Sequence, residues 1–154
     1  MKLSVIVHGV PGPQGSKRHV GNGRMIESSA KVKPWRDAVV AAVGREMVRT
    51  GWVQATGPVS LGITFFLARP KGHYGTGRNA GTLRKSAPAY PAVKPDADKL
   101  IRSTQDALTT VGAWRDDAQA VDLFVCKRYA APNVDIGATF PGCLISLQEI
   151  GGQS

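Results

Sequence analysis

The sequence predicts an α+β fold: a single two-layer domain, residues 1–154, in which a mixed β-sheet of about four strands is packed by two helices in the order β-α-β-α-β-β. Three observations predict it. Apolar residues alternate in some segments, as half-buried strands require. They recur at helical spacing in two others. Gly- and Pro-rich breakers separate all of them. A length of 154 residues fits one domain, and such a chain hides roughly two-thirds of the surface its unfolded form exposes.

Residues 3–10 read as the first strand. The amino terminus, MKLSVIVHGVPGPQG, has one Lys and a short apolar stretch, as a signal peptide would. But Leu3, Val5 and Val7 alternate with Ser4, Ile6 and His8, and the stretch runs into Pro-Gly without a small-x-small cleavage site. Residues 11–25 form a loop or a loose hairpin tip charged by Lys17, Arg18, His19 and Arg24. Residues 29–49 read as a helix capped by Ser28 or Ser29, with Pro34 in its first turn. Trp35, Ala38, Val39, Ala42, Val43 and Met47 form its core face, and Thr50-Gly51 ends it.

Pro58 to Ala68 is a second strand, with Val59, Leu61, Ile63 and Phe65 on one face. Asp98 to Val111 is a second helix ended by Gly112. Leu100, Ile101, Thr104, Ala107, Leu108 and Val111 make its buried face; Asp98, Arg102, Gln105, Asp106 and Thr109 lie opposite. A tight turn, GAWRDD, leads to a third strand, Gln119 to Tyr129. A Pro/Gly/Asn-rich turn leads to a fourth, Cys143 to Ile150.

Charge sets the function class. The net charge is +9, and no apolar run approaches the roughly 20 residues of a membrane span. Cys126 and Cys143 are expected as reduced thiols in a cytoplasmic protein. With His8, His19 and His73 scattered and no CxxC, nothing suggests zinc. Against this basic background, five of the eleven acids (Asp96, Asp98, Asp106, Asp116 and Asp117) fall between positions 96 and 117, and none between Met47 and Pro95. Carboxylates concentrated on a basic protein suit a hard divalent cation beside a polyanion. The pattern reads as a metal-dependent nuclease.

Asp96 and Asp98, two apart at the mouth of the second helix, point the same way if the segment is extended. Asp117 joins them only if the fold brings it back along a helix of roughly 20 Å. Blander readings stand beside these. Asp98 can be a helix N-cap, Asp116-Asp117 a solvated turn, and Arg102 with Asp106 an ordinary i,i+4 pair. Residues 69–95 form a long connection without acids, and Arg69, Lys71, Arg78, Arg84, Lys85 and Lys94 make it basic. It is read as a DNA-backbone contact surface, or else as a solvated loop.

The segment KPDADKLIRSTQDALTTVGAWRDDAQAVDLFVCKRY strongly resembles the RusA family of Holliday junction resolvases. An Asp-x-Asp pair opens a helix, Asp-Ala-Leu lies within it, and a Trp-x-Asp-Asp-x-Gln turn enters a strand. A weaker likeness extends to the amino-terminal strand, the basic Gly-rich loop and the Ser28 to Trp35-Arg36 helix start. The resemblance implies a homodimeric, Mg²⁺-dependent endonuclease, with Mn²⁺ as an acceptable substitute, that cuts four-way DNA junctions by symmetric nicks. It makes Asp96, Asp98 and Asp117 the metal-binding aspartates, with Asp116 as neighbour. A functional family Lys falls at Arg102, which keeps the charge but cannot lose a proton. Lys99 is a candidate substitute. Lys17, Arg18, Arg24 and Lys99 join the loop cations as expected DNA contacts. Two alternatives share much of this pattern: a junction- or branched-DNA-binding accessory protein impaired in catalysis, and a nuclease for flaps and other branched DNA.

Overall fold

The computed structural model describes residues 1–15, 18–19, 21–22, 25–26, 30–131 and 140–151; of 18, 19, 25 and 26 it describes the backbone only. Lys17, Arg24, Ser28, Ser29 and the side chain of Arg18 therefore lie outside the described residues.

The strands are β1 (Lys2–His8), β2 (Arg18–His19), β3 (Met25–Ile26), β4 (Val59–Leu67), β5 (Ala120–Tyr129) and β6 (Gly142–Glu149); the helices are α1 (Val32–Thr50) and α2 (Ala97–Val111). The main sheet has the order β1-β6-β4-β5. β6 is antiparallel to both β1 and β4, and β4 is parallel to β5, so the sheet is mixed as expected. β2 and β3 form a separate two-stranded ribbon, two residues to each strand, within the amino-terminal loop.

Alternation decides which sheet face is covered. Leu3, Val5 and Val7 of β1, Leu61, Ile63 and Phe65 of β4, and Ile145 and Leu147 of β6 are buried in one core with α1 and α2. Lys2, Ser4, Ile6 and His8 of β1 face solvent. α1 packs on β1 and on α2. The arrangement is two layers.

α1 begins at Val32, three residues later than the spacing suggested, and its N-cap Lys31 offers no side-chain cap. Pro34 still falls in the first turn, where backbone N–H groups have no intrahelical acceptor. Gly51 ends the helix with φ 72°, a left-handed conformation that costs glycine little.

One buried polar link joins the helices. The Trp35 indole N–H donates to Thr104 Oγ1 at 3.1 Å, and Thr104 Oγ1 donates to Leu100 O at 2.9 Å. Thr104→Val keeps the volume and removes the acceptor. It is expected to cost about 1–3 kcal/mol, read as a lower denaturation midpoint, while Thr104→Ser costs less. Equal midpoints for wild type and Thr104→Val would show that the indole finds another acceptor.

Residues 69–95 are folded. They contain one-turn 3₁₀ helices at Lys71–His73 and Gly77–Asn79. A bridge between Tyr74 and Leu83 closes them, with Gly75 N–H donating to Thr82 O at 2.9 Å and Arg84 N–H to His73 O at 2.9 Å. The thiols of Cys126 and Cys143 are free, and burial pushes that of Cys143 up.

Candidate active site

α2 starts at Ala97, so its N-cap is Asp96 and not Asp98. Asp96 is extended (φ −70°, ψ 141°) and its side chain makes no cap hydrogen bond. Asp98 already lies in the first helical turn. The two carboxylates are therefore not successive same-side residues of one extended segment. They share one helix end, where the exposed backbone N–H groups favour negative charge. Neither carboxylate is spent on capping. Asp96 meets Lys99, whose Nζ lies 3.5 Å from Asp96 Oδ2, and both side chains are about half exposed.

Two tethers hold this end of α2. Lys127 on β5 donates from Nζ to Val93 O at 2.7 Å and to Pro95 O at 2.9 Å, tying the segment before Asp96 to the sheet edge. On the other side, Gln14 N–H donates to Lys99 O at 3.0 Å and the buried Ser103 Oγ to Gly12 O at 2.6 Å. A Cβ on Gly12 would stand 2.3 Å from Lys31 O, so the crossing needs glycine. Gln14 Oε1 is buried with no hydrogen-bond partner among the described residues.

Asp117 lies elsewhere in the chain. It follows α2, whose 15 residues span about 22 Å, and precedes β5, whose first residue pairs with Val59 at the start of β4. Lys127 and Asp96 belong to the other end of β5. Among the described residues no group of three or more acids, histidines or cysteines gathers closely enough to hold a metal ion. Asp116 caps the 3₁₀ turn Asp117–Gln119: its Oδ1 accepts from Ala118 N–H at 2.7 Å, and Gln119 Oε1 accepts from Asp116 N–H at 2.9 Å. Gln119 Nε2 anchors the turn to Ala55 O and Gly57 O. That leaves Asp117 exposed.

Arg102 is exposed, and among the described residues no ion pair joins it to Asp98 or Asp106. The loop cations divide. Arg69 stacks over the Tyr129 ring at 4.3 Å and donates to Pro88 O at 2.8 Å, and Arg84 donates to Tyr74 O at 2.8 Å. Lys71, Arg78, Lys85 and Lys94 are exposed. Lys94 and Lys99 line a cleft of about 730 Å³ beside Asp96.

The oxygen donors at the start of α2 fit a hard divalent cation, which takes few protein ligands and keeps positions for water and phosphate. The tethering Lys127 was not singled out from sequence, because a lone Lys in a strand carries no signal of what its ammonium reaches. Ser103 and Gln14 were missed for the same reason.

Residues 8–137 match the family model described as "Endodeoxyribonuclease RusA". The chain is also 30% identical over 137 residues to a protein of Bacillus subtilis (strain 168) called "Uncharacterized protein YqaN", covering 87% of this chain and 93% of that protein. No helix among the described residues is long and apolar enough to cross a membrane.

Proposed function

The chain belongs to the RusA endodeoxyribonuclease family, and from that premise we propose that it is a divalent-metal-dependent, structure-specific endonuclease that resolves four-way DNA junctions by paired symmetric nicks. The observation that carries this reading is the pair of carboxylates at the start of α2, neither of them making a cap hydrogen bond, on a segment that Lys127 holds by the Val93 and Pro95 carbonyls, in a chain of net charge +9.

Asp96 and Asp98 would hold Mg²⁺, or Mn²⁺ in its place. Bound there, the ion supplies a more acidic water and relief of charge on the phosphate. The protein's own groups do the rest. Lys99 limits repulsion between Asp96 and an approaching phosphodiester, and Arg102, fixed in charge, contacts the scissile or a neighbouring phosphate. The tethers from Lys127, Gln14 and Ser103 keep the carboxylates in place before DNA arrives, which is where catalytic positioning is gained.

Asp117 enters this site in a homodimer. β5 is an edge strand among the described residues, paired with β4 alone, and Val121, Leu123 and Phe124 are 60%, 47% and 67% exposed. Two such edges can pair antiparallel about a two-fold axis. A two-fold near Leu123 sets the partner's Asp117 opposite Tyr129, at the end of β5 where Lys127 grips Pro95. Two shared sites then face two opposed strands of a junction.

The test is incubation of labelled four-way junctions, flaps and linear duplex with Mg²⁺ and with EDTA. Paired nicks confined to junctions and lost in EDTA are expected. Equal cutting of flaps would widen the substrate class. Tight binding without cutting would favour the accessory-protein reading, for which the lack of a three-carboxylate group among the described residues speaks.

Arg102→Lys is expected to retain or raise cleavage, since it restores the family residue, and Arg102→Ala to lose most of it. Unchanged turnover in the Ala variant would place Arg102 outside the site.

A further inference from the structure

We propose that the cleft beside Asp96 is a slot for one unstacked nucleobase of branched DNA, held next to the phosphate that the carboxylates receive. This rests on the nuclease reading and adds to it how a branch point is told from a linear duplex.

The walls indicate the ligand. The cleft measures about 730 Å³ and is lined by Pro11, Pro13, Pro70, Pro91 and Pro95, five of the chain's ten prolines. They come from the segment after β1, the start of the basic loop, its end and the entry to α2, so no single Pro-rich segment accounts for them. A proline ring is rigid and apolar and has no N–H. Such walls offer nothing to a phosphate, but a flat apolar face suits a base. Tyr129 adds a buried aromatic ring, fixed by Arg69 over its face at 4.3 Å and by His73 edge-on at 5.5 Å.

The rim indicates the polymer. Lys31, Lys94 and Lys99 stand around the apolar interior, with Asp96 among them. Cations around an apolar hollow complement a base attached to a charged backbone. Asp96 then places the neighbouring phosphate at the metal carboxylates. A volume of this size lies within the range of sites that enclose small organic groups.

Selectivity follows from what filling the slot requires. A base in intact duplex must lose pairing and stacking on both sides before it can enter, whereas a base at a branch point has a neighbouring stack already interrupted. Stacking on apolar faces does not discriminate among bases. The slot therefore rewards branched shape more than sequence.

The test uses junctions carrying 2-aminopurine either next to the cut phosphate or well inside an arm, bound to Asp98→Asn protein so that the DNA stays whole. Fluorescence is expected to rise on binding only for the probe beside the cut. Val93→Trp and Val10→Trp fill the cleft from two sides; both positions are exposed (61% and 59%), so unfolding midpoints should not change. Each is expected to abolish the rise and to lower the junction-over-duplex affinity ratio by roughly tenfold, with duplex affinity unchanged. A rise at both probe positions, or one indifferent to both variants, overturns the slot. Cleavage of the same junctions by wild type with Mg²⁺ is read separately. Cutting without the signal sinks the slot and spares the nuclease. The signal without cutting sinks the nuclease reading and spares the slot.

Discussion

Asparagine at Asp96, Asp98 or Asp117 is expected to lower junction cleavage by on the order of 10²–10³-fold or more, with junction binding retained. Each substitution keeps size and removes the charge a divalent cation needs, while the basic surface that binds phosphate is untouched. The geometry adds a sharper form of the experiment. Asp96 and Asp117 lie at opposite ends of β5 in one chain, so in the proposed edge-to-edge homodimer a working site takes them from different subunits. A mixed dimer of Asp96→Asn and Asp117→Asn subunits carries one doubly damaged site and one intact site. It should regain nicking of one strand without paired resolution, although each parent alone is dead. If each site lay within one subunit, mixing would restore nothing. Wild-type-like nicking by any single variant would remove that residue from the site.

Neutralising Lys71, Arg78 and Lys85 together is expected to weaken binding to branched and linear DNA alike. It should also flatten the dependence of log K on log salt by up to about three units, since each phosphate contact contributes roughly 0.9. Arg84, which also belongs to the basic surface inferred from sequence, is left out because it donates to Tyr74 O and closes the loop. Arg69 is held by Tyr129 and Pro88. Altering either would confuse affinity with loop folding. Turnover at saturating junction should change little. Titrations of both proteins across salt concentrations decide the matter, and identical slopes would mean that the loop never touches phosphate.

Much of this was legible in the chain. The four main strands and two helices follow from local rules. Val59, Leu61, Ile63 and Phe65 alternate, and Gly51 and Gly112 stop the helices with positive φ. What was not legible is long-range. That β6 inserts between β1 and β4 depends on pairing across the whole chain, for which no local pattern exists. Asp98 was open to reading as a cap because a carboxylate at a helix start usually is one. The two-residue shift that gives the N-cap to Asp96, without a cap bond, leaves both carboxylates outside the cap. Asp117 was expected near Asp96 on the likeness of the motif, yet α2 separates them within a chain. The proline cleft was invisible because its walls come from segments scattered along the sequence.

The exposed edge of β5 has a consequence for handling the protein. A ten-residue strand whose outer edge is unpaired among the described residues, and which carries apolar side chains, is also a template for unlimited growth, edge upon edge. Pairing with one identical edge consumes the template. Among the described residues, the strand's own charges are Asp122, between Val121 and Leu123, and Lys127 and Arg128 farther along, and Lys127 is already engaged with the Val93 and Pro95 carbonyls. On the proposed pairing, dilution or destabilised variants should therefore be followed by light scattering, because the unpaired subunit is the species expected to precipitate.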